Sequence, residues 1–347
     1  MVKDAVFFSI IIPVYNRPRE LVELLHSLTK QVYTHFEVLI VDDGSEPPAF
    51  EAIEGFSKLI DLRYFYIPNG GQGFARNYGF NEAKGDYFIV FDSDCIIPAN
   101  YLQVVSDGLD KHQLDAFGGP DAAHPSFTSI QKAINYAMTS PLTTGGIRGN
   151  AKHIGVFHPR SFNMGLSRQT WKKTGGFQWT NQSEDMELSM RMQSLGLKVG
   201  LLGDARVFHK RRVNWTQYFK QTFSFGQGRI RLYRHFGKGL KLIHFLPAFF
   251  TLGLVLLAIL GLSLALIVPG TAPYNLLGFL FLVGTSIYGL YTLAIFIHAW
   301  ITTAQLPIAL NSLFAVYIQF LAYGSGFIKD FIQYLILQRG HSPHSPS

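Results

Sequence analysis

One segment of this sequence, residues 242–328, contains no Asp, Glu, Lys or Arg. A water-exposed surface cannot be built from 87 consecutive residues without a formal charge, so we assign this segment to a lipid bilayer. Residues 1–241 carry nearly all of the charge and predict a water-soluble domain that ends in a basic juxtamembrane segment. We therefore expect a soluble domain over 1–241, a membrane domain over 242–340 and a disordered tail over 341–347.

The membrane domain has room for about three spans of roughly 20 residues each. Two uninterrupted apolar stretches, 242–268 and 275–300, meet this length, and a third, 306–327, is interrupted by a few amide side chains. Residues 328–338 mix charged, polar and apolar side chains. This pattern fits an interfacial helix as well as a continuation of the third span, and the sequence leaves both open.

Basic residues are concentrated just before the membrane segment. Between Lys198 and Lys241 there are eleven Lys or Arg residues and one acid, Asp204. Such a bias marks the cytoplasmic flank of a span and attracts anionic headgroups. We therefore expect an integral protein of the inner or plasma membrane with a cytoplasmic soluble domain, and the single cysteine, Cys95, fits a reducing compartment. The net charge of +7 arises largely from this segment, so we do not interpret it as nucleic-acid binding.

Strand and helix patterns alternate along the soluble domain. Short apolar runs at 7–13, 36–41, 64–67 and 87–91 predict buried strands, and leucines at helical spacing over 18–28 predict a helix. This alternation predicts an α/β fold with a Rossmann-like, mostly parallel sheet and helices on both faces, followed by the α-helical transmembrane region. In such sheets, ligands bind beyond the carboxyl ends of the strands.

Asp92-Ser93-Asp94 directly follows the fourth apolar run. Side chains at i and i+2 on an extended backbone point the same way, so Asp92 and Asp94 can face one cation. Paired carboxylates suit Mg²⁺ or Mn²⁺ shared with the phosphates of a nucleotide. A polar turn that only ends the strand is the alternative, and this motif alone does not decide between them.

Further polar groups follow the neighbouring runs. Asp43, within Asp42-Asp43-Gly44-Ser45, can accept a hydrogen bond from a base or a ribose, although a strand-ending turn explains the motif by itself. The glycines at 70, 71 and 73 would let backbone amides approach a phosphate. Arg76, on the following helix, would add a cation near a diphosphate, or would lie in solvent.

A cluster of acids begins the helix predicted after Ser183, which is an N-cap candidate. Glu184, Asp185 and Glu187 fall in the first turn, where the helix dipole favours negative charge, and this explains them by itself. A carboxylate in this position also stays ionised at neutral pH and can act as a general base. Spacing alone favours the dipole explanation and leaves the catalytic one open.

Eight short motifs follow one another along the soluble domain. They are, in chain order, Ile11-Ile12-Pro13-Val14-Tyr15-Asn16, Val41-Asp42-Asp43-Gly44-Ser45, Gly73-Phe74-Ala75-Arg76-Asn77, Phe91-Asp92-Ser93-Asp94, Asn163-Met164 through Arg168, Gly175-Gly176-Phe177, Glu184-Asp185 and Val207-Phe208-His209. Their order closely resembles that of the family 2 glycosyltransferases of the GT-A fold. The resemblance covers about residues 7–212 and is specific as an ordered set, although each motif is weak alone.

The resemblance implies a role for each matching residue. Asp185 is implied as the general base, with Glu184 beside it in the catalytic motif. The divalent metal, Mn²⁺ or Mg²⁺, is implied to bind Asp92, Asp94 and His209. The residues implied to contact the nucleotide sugar are Pro13, Tyr15, Asp43, Arg76, Asp92, Ser93 and Asn163.

The same resemblance implies an inverting transfer from a nucleotide-sugar donor, for which we expect a UDP-sugar. The processive synthases of the family carry a Gln-x-x-Arg-Trp motif, whereas here Gln227 is followed by Ile230 at the arginine position and no Trp follows. We therefore expect single-sugar addition. The membrane domain is similar to that of enzymes that build exopolysaccharide or O-antigen units, which implies a lipid-linked saccharide acceptor on polyprenyl diphosphate.

Other functions remain open at this point. A polyprenyl-phosphate sugar transferase and a processive synthase would share the fold and the metal site. A nucleotidyltransferase would use a similar sheet and metal pair but would not need a base placed like Asp185. A membrane scaffold with an inactive transferase domain is the alternative that is not an enzyme.

Overall fold

The computed structural model describes residues 5–122, 124–144, 157–210, 212 and 214–338. The predicted disordered tail at 341–347 lies outside the described residues. The described residues divide into two compact units, one within 1–126 and 146–210 and the other within 127–145 and 211–347. These units follow packing, whereas the boundary predicted after residue 241 follows charge, and that boundary stays a prediction.

The first unit alternates strands and helices as predicted. Its elements are β1 (Phe8–Val14), α1 (Pro18–Leu28), β2 (Phe36–Asp42), α2 (Phe50–Ile53), a 3₁₀ helix (Glu54–Lys58), β3 (Leu62–Tyr66), α3 (Gln72–Glu82), β4 (Tyr87–Val90), β5 (Cys95–Ile96), α4 (Tyr101–His112), β6 (Ala116–Gly118) and β7 (Asp121–Ala122). In the second unit, α5 (Ser129–Thr139) and α6 (Pro141–Thr144) follow. The first unit resumes with β8 (Met164–Ser167), α7 (Arg168–Thr174), α8 (Glu184–Ser194), β9 (Val199–Leu201) and β10 (Val207–His209).

Seven of these strands form one sheet in the order β3-β2-β1-β4-β8-β6-β9. Strands β3, β2, β1 and β4 are mutually parallel, and β6 is parallel to β9. The sequence did not indicate β8, which runs antiparallel to both β4 and β6. The predicted mostly parallel α/β fold is confirmed, with β8 as its antiparallel member.

A hydrophobic core lies on each face of this sheet. Phe8, Ile10 and Ile12 of β1 belong to the core that contains α1 and α4, whereas Ile11 belongs to the core that contains α3 and α8. This division follows from the alternation of side chains along a strand. It explains why the central strands are apolar throughout, because both of their faces are covered.

A smaller sheet has the order β5-β10-β7. In it, β10 runs antiparallel to β5, and His209 lies opposite Cys95. This pairing brings the end of the first unit back to the turn that follows β4.

The second unit is helical in its described part. After α5 and α6 it contains α9 (Trp215–Phe236), a 3₁₀ helix (Leu242–Phe245), α10 (Leu246–Leu266), α11 (Ala272–Thr303), α12 (Leu306–Asp330) and a π-helical turn (Phe331–Ile336). Helices α9 and α12 approach closely because Gly226 and Gly326 each leave room for the backbone of the other helix. The buried Asp330 accepts hydrogen bonds from Gln227 at 2.8 Å and Arg231 at 2.9 Å.

Three helices of this unit are long and apolar enough to cross a membrane: Leu242–Leu266, Ala272–Thr303 and Leu306–Ile336. They correspond to the three predicted spans. Helix α12 runs without a break into the π-helical turn, and both possibilities for residues 328–338, an interfacial helix and a continued span, stay open. The basic segment that the sequence placed before the first span contains the helix α9, which was not predicted.

Candidate active site

The carboxyl ends of β1, β2 and β4 meet at one edge of the large sheet. Val14 of β1 lies opposite Asp42 of β2, and Ile11 lies opposite Val90 of β4. The residues that follow these strands therefore share that edge, as the parallel arrangement predicts. Most of the residues that the sequence assigned to a site lie along it.

Arg76 on α3 is the buried cation of this edge. Its Nη2 donates to Oδ1 of Asp92 at 2.8 Å, and its Nη1 donates to Oε1 of Glu184 at 2.9 Å. Its guanidinium also lies over the ring of Phe177, 5.1 Å from the centroid. Burial alone would lower the pKa of Arg76, but the two carboxylates raise it above its ordinary value. One charged side chain thus connects the end of β4 to the start of α8.

This arrangement differs from the role that the sequence assigned to Arg76. The side chain has no exposed surface, and both of its terminal nitrogens bind carboxylates. A contact with a donor diphosphate would require Arg76 to change partners. The predicted contact stays a prediction, and the observed role is to hold two acidic motifs together.

The two acids that begin α8 have different surroundings. Glu184 is buried, and its Oε1 also accepts a hydrogen bond from Gln72 at 2.6 Å. Burial raises the pKa of the Glu184 carboxyl above its ordinary value, against the opposing effect of Arg76. Asp185 keeps 17 % of its side chain exposed, with Oδ2 lying 3.5 Å from Nη1 of Arg160. Of the two predicted catalytic acids, Asp185 is therefore the one whose carboxylate a substrate can reach.

The helix itself begins differently from a standard capped helix. Ser183 precedes α8 as expected, but its backbone is left-handed, with φ of 58°, and its side chain makes no capping hydrogen bond. An N-cap serine normally has an extended backbone from which its hydroxyl reaches the first turn. The acids of the first turn remain favoured there by the helix dipole.

Asp94 lies at a second corner of the site, next to β10. Its Oδ1 is 3.1 Å from Nε2 of His209, and its Oδ2 accepts a hydrogen bond from Nη1 of Arg17 at 2.7 Å. The pairing of β5 with β10 produces this contact, and a hydrogen bond from the backbone N–H of Lys210 to the carbonyl of Asp94 reinforces it. The sequence indicated Asp94 and His209 but gave no signal for Arg17.

Asp94, Cys95 and His209 form a possible divalent-metal site, because one ligand atom of each lies within 4.8 Å of the others. Cys95 fits this role poorly, since burial raises the pKa of its thiol well above the ordinary value and the thiolate is the form that binds metals. The carboxylate and the imidazole suit Mn²⁺ or Mg²⁺ better. In the described part of the chain, Nδ1 of His209 has no hydrogen-bond partner, although it is buried.

Asp92, the third predicted metal ligand, is not a member of that cluster. Its Oδ1 is directed to Arg76, and 27 % of its side chain remains exposed. The structure therefore brings Asp94 and His209 together directly and holds Asp92 beside them through the short turn. The predicted set of three ligands stays a prediction.

Asp43 uses its carboxylate within the protein. Oδ1 accepts a hydrogen bond from the backbone N–H of Gly70 at 2.8 Å, and Oδ2 accepts one from Gly71 at 2.9 Å. The side chain is buried. Asp43 therefore shapes the glycine loop that the sequence singled out, and the amides of Gly70 and Gly71 are directed to it in this structure.

The remaining predicted donor contacts fall into two groups. Tyr15 is half exposed just beyond β1, which leaves its ring accessible, whereas Pro13 and Ser93 are buried. Asn163 is fully buried, and its amide accepts a hydrogen bond from the hydroxyl of Tyr101 and donates one to a backbone carbonyl. The structure thus gives Asn163 a structural environment, and its predicted contact with the donor remains untested.

Contacts between α3 and the segment before α8 complete the site. Asn77 exchanges two hydrogen bonds with the backbone of Phe177, at 2.7 and 2.8 Å. The N–H of Gly73 donates to the carbonyl of Thr180 at 2.9 Å, and an added Cβ at Gly73 would collide with the carbonyl of Trp179. These contacts join the motif residues Gly73 and Asn77 of α3 to the segment before α8, and the sequence did not reveal them.

Comparison with known proteins gives a family match for the first part of the chain. Residues 9–175 match the family model described as glycosyl transferase family 2. The chain carries a family 2 glycosyltransferase domain. The family model covers the glycine loop and Asp92-Ser93-Asp94, whereas Glu184, Asp185 and His209 lie beyond it.

Curated relatives match only part of the chain. Poly(ribitol-phosphate) β-N-acetylglucosaminyltransferase TarS of Staphylococcus aureus is 34% identical over 112 residues, which is 31% of this chain and 20% of TarS. Glycosyltransferase GlyG of Streptococcus pneumoniae is 32% identical over 113 residues, which is 32% of this chain and 38% of GlyG. The chain therefore covers well under half the length of these relatives.

The fold of the glycosyltransferase domain also has solved counterparts. Mannosyltransferase PcManGT from Pyrobaculum calidifontis, in complex with GDP-Man and Mn²⁺, aligns with a TM-score of 0.59 at 17% identity, over 94% of this chain and 87% of that one. At this identity the similarity shows the fold alone. The fold is of the GT-A type, as the resemblance implied.

Proposed function

We propose that this chain is an inverting, metal-dependent glycosyltransferase that transfers a sugar from a nucleotide-diphosphate donor to a hydroxyl of a membrane-associated saccharide. One observation carries the proposal: the guanidinium of Arg76 binds Asp92 and Glu184 at once, at 2.8 and 2.9 Å. The two acidic motifs are far apart in the sequence and yet converge on one cation. Convergence of this kind is expected where a donor site and a catalytic acid must act together.

In this proposal Asp185 is the general base. It accepts the proton of the acceptor hydroxyl while the hydroxyl oxygen attacks the anomeric carbon, from the face opposite the nucleoside diphosphate. One carbon–oxygen bond forms to the acceptor as the bond to the diphosphate breaks, so the anomeric configuration is inverted. Glu184 acts as a positioning residue, since its carboxylate is held by Arg76 and Gln72.

Asp92, Asp94 and His209 would hold the divalent cation. When bound, Mn²⁺ or Mg²⁺ would act as a Lewis acid that stabilises the charge on the departing diphosphate. Arg76 fixes the orientation of Asp92, and the stacking of Phe162 on His209, with centroids 4.6 Å apart, fixes the imidazole plane. In this proposal these contacts orient Asp92 and His209 for the ion.

The donor is proposed to be a UDP-sugar that contacts Tyr15, Pro13 and Asp43 through its base and Ser93 through its diphosphate. The similarity to TarS, an N-acetylglucosaminyltransferase by name, supports sugar transfer. The GDP-Man and Mn²⁺ bound to PcManGT support a nucleotide sugar with a metal as the donor class. A panel of UDP-, GDP- and dTDP-sugars would identify the nucleotide.

The acceptor is proposed to be a saccharide on polyprenyl diphosphate, used in cell-surface polysaccharide synthesis. The three helices that are long and apolar enough to cross a membrane support an acceptor held in the lipid. The basic residues that precede them support a cytoplasmic position of the transferase domain in the inner or plasma membrane. The lipid diphosphate also matches the positive charge of the segment 210–241.

Substitution of Asp185 by Asn tests the proposal in the full-length, detergent-solubilised protein. Loss of the base should lower the rate of sugar transfer about 10²- to 10⁴-fold and leave donor affinity unchanged. Asp204→Asn, at an exposed acid of the same unit, is the matched control and should transfer normally. NMR of the product should show an inverted glycosidic linkage, and full activity of Asp185→Asn would refute the assignment of the base.

Product analysis also separates the rival functions. A sugar phosphate ester instead of a glycoside would indicate a polyprenyl-phosphate transferase. Release of diphosphate instead of a nucleoside diphosphate would indicate a nucleotidyltransferase. Absence of metal-dependent consumption across the donor panel would favour the inactive scaffold.

A further inference from the structure

The two aspartates of Asp92-Ser93-Asp94 are each paired with an arginine, but the two arginine side chains differ in how exposed they are to solvent. Arg76, the partner of Asp92, has no exposed surface and also binds Glu184. Arg17, the partner of Asp94, has 39 % of its side chain exposed. The structure thus combines one fixed ion pair with one whose cation can move away.

The backbone that carries Arg17 is held firmly. Asn16 has φ of 54°, its N–H donates to Oγ of Ser45 at 2.8 Å, and its side chain accepts a hydrogen bond from the N–H of Glu46 at 2.8 Å. Arg17 then stands at the N-cap position of α1. Only the long side chain of Arg17 is therefore free to change position, and its base is fixed beside the site.

The pair between Arg17 and Asp94 occupies a metal ligand. Nη1 of Arg17 lies 2.7 Å from Oδ2 of Asp94, whose carboxylate is 8 % exposed, and His209 faces the other oxygen. A divalent cation and a guanidinium repel one another at such a distance. A metal ion can bind Asp94 through that oxygen only if Arg17 leaves it.

We propose that Arg17 is an internal counter-ion that occupies Asp94 until donor and metal bind together, and that it then moves to the diphosphate of the donor. The inference rests on the proposed function and assigns Arg17 as a positioning residue. A guanidinium forms paired hydrogen bonds with phosphate oxygens, so the diphosphate gives Arg17 a new partner when the metal takes the old one. Metal binding without a nucleotide lacks this compensation.

The consequence is a coupling between the two ligands. Without nucleotide, the metal must displace a charge-assisted hydrogen bond, which weakens its binding by about tenfold. When the nucleotide is bound, the new contact between Arg17 and the diphosphate compensates for the lost hydrogen bond to Asp94. By linkage, the nucleotide strengthens metal binding by the same factor by which the metal strengthens nucleotide binding.

The test measures Mn²⁺ affinity directly, by electron paramagnetic resonance of free Mn²⁺, in the full-length protein in detergent. Wild type, Arg17→Gln, Arg17→Ala and Arg17→Lys are compared with and without UDP, or with GDP if the donor panel selects it. Arg19→Gln is the matched control, because Arg19 is an exposed arginine on the same helix and its loss changes the net charge equally.

Arg17→Gln and Arg17→Ala should bind Mn²⁺ about tenfold more tightly than wild type without nucleotide, and the added effect of UDP should shrink by the same factor. Arg17→Lys keeps the charge but cannot form the paired hydrogen bonds, so it should retain only part of the coupling. Arg19→Gln should match wild type. A structural role for Arg17 would instead weaken Mn²⁺ binding on substitution.

Unchanged or weaker Mn²⁺ binding by both neutral variants would overturn the inference while leaving the proposed transferase intact. Failure of the wild-type protein to bind Mn²⁺ even with nucleotide would overturn the metal site of the proposed function, and this inference with it. Two neutral variants are included so that poor folding of one still leaves a result.

Discussion

Replacement of Arg76 is the perturbation for which the structure predicts the largest effect. The side chain is fully buried, donates to Asp92 and Glu184 at 2.8 and 2.9 Å, and lies over the ring of Phe177. Arg76→Met would remove the cation and leave Glu184 as a buried acid without its ion-pair partner. Arg76→Lys would keep the charge but could not form both hydrogen bonds in the same geometry.

The expected magnitudes follow from these contacts. Removal of one partner from a buried ion pair costs roughly 3–5 kcal/mol, so Arg76→Met should lower the free energy of unfolding by about 4 kcal/mol. Arg76→Lys loses one charge-assisted hydrogen bond and should cost about 2 kcal/mol. Both variants would also release the two acidic motifs from each other, and we expect kcat/KM for transfer to fall at least roughly 10²-fold.

Thermal unfolding and transfer assays on the detergent-solubilised protein measure the two effects separately. Arg63→Met is the matched control, because Arg63 also pairs with a buried acid, Glu37, at 2.7 Å, but that pair does not include a residue of the acidic motifs. It should destabilise the protein while transfer per folded molecule stays near wild type. The reasoning is refuted if Arg76→Met unfolds like wild type, or if it transfers sugar at the wild-type rate.

Two further predictions concern stability. Glu37 accepts hydrogen bonds from Ser9 and Arg63, and although burial opposes this, its pKa lies below the ordinary value of 4.5. The stabilisation that the Glu37 carboxylate provides should therefore be complete above pH 4.5 and disappear as the pH falls through the lowered pKa. The free energy of unfolding should differ between wild type and Glu37→Gln by about 2 kcal/mol at pH 7, and this difference should shrink below about pH 4.5. A difference that stays constant with pH would contradict this. Gly71→Ala should lower the free energy of unfolding by about 1–3 kcal/mol because of the backbone strain at φ of 96°, and by more because the added Cβ would collide with Asn181. Gly175→Ala is the control, since Gly175 has φ of 72° but open space around it. In the same thermal unfolding assay it should show the effect of the strain alone.

The sequence by itself determined the division into polar and membrane-compatible parts and the α/β fold. Both rest on local properties: the absence of charge over 242–328 excludes a soluble surface, and short apolar runs identify strands that are covered on two faces. It also identified the strand ends, and with them Asp43, Asp92 and Asp94, because parallel strands present their carboxyl ends at one edge.

The sequence could not determine what those side chains bind. Asp43 was predicted to contact a base, yet its carboxylate holds Gly70 and Gly71. Glu184 and Asp185 are neighbours in one predicted catalytic motif, and only the structure shows that Glu184 is buried beside Arg76. In both cases the structure adds partners from other parts of the chain, Gly70 and Gly71 for Asp43 and Arg76 for Glu184, and the predicted roles stay predictions.

Only the tertiary structure decided the contacts that assemble the candidate site. The antiparallel pairing of β5 with β10 places His209 beside Asp94, and the end of β1 places Arg17 on the same carboxylate. Strand register and the packing of helices on a sheet set these contacts. Neither can be predicted from one segment of the sequence, because both depend on segments that are distant along the chain. Residue types and spacing thus indicate which groups are chemically capable, while the fold decides which of them meet.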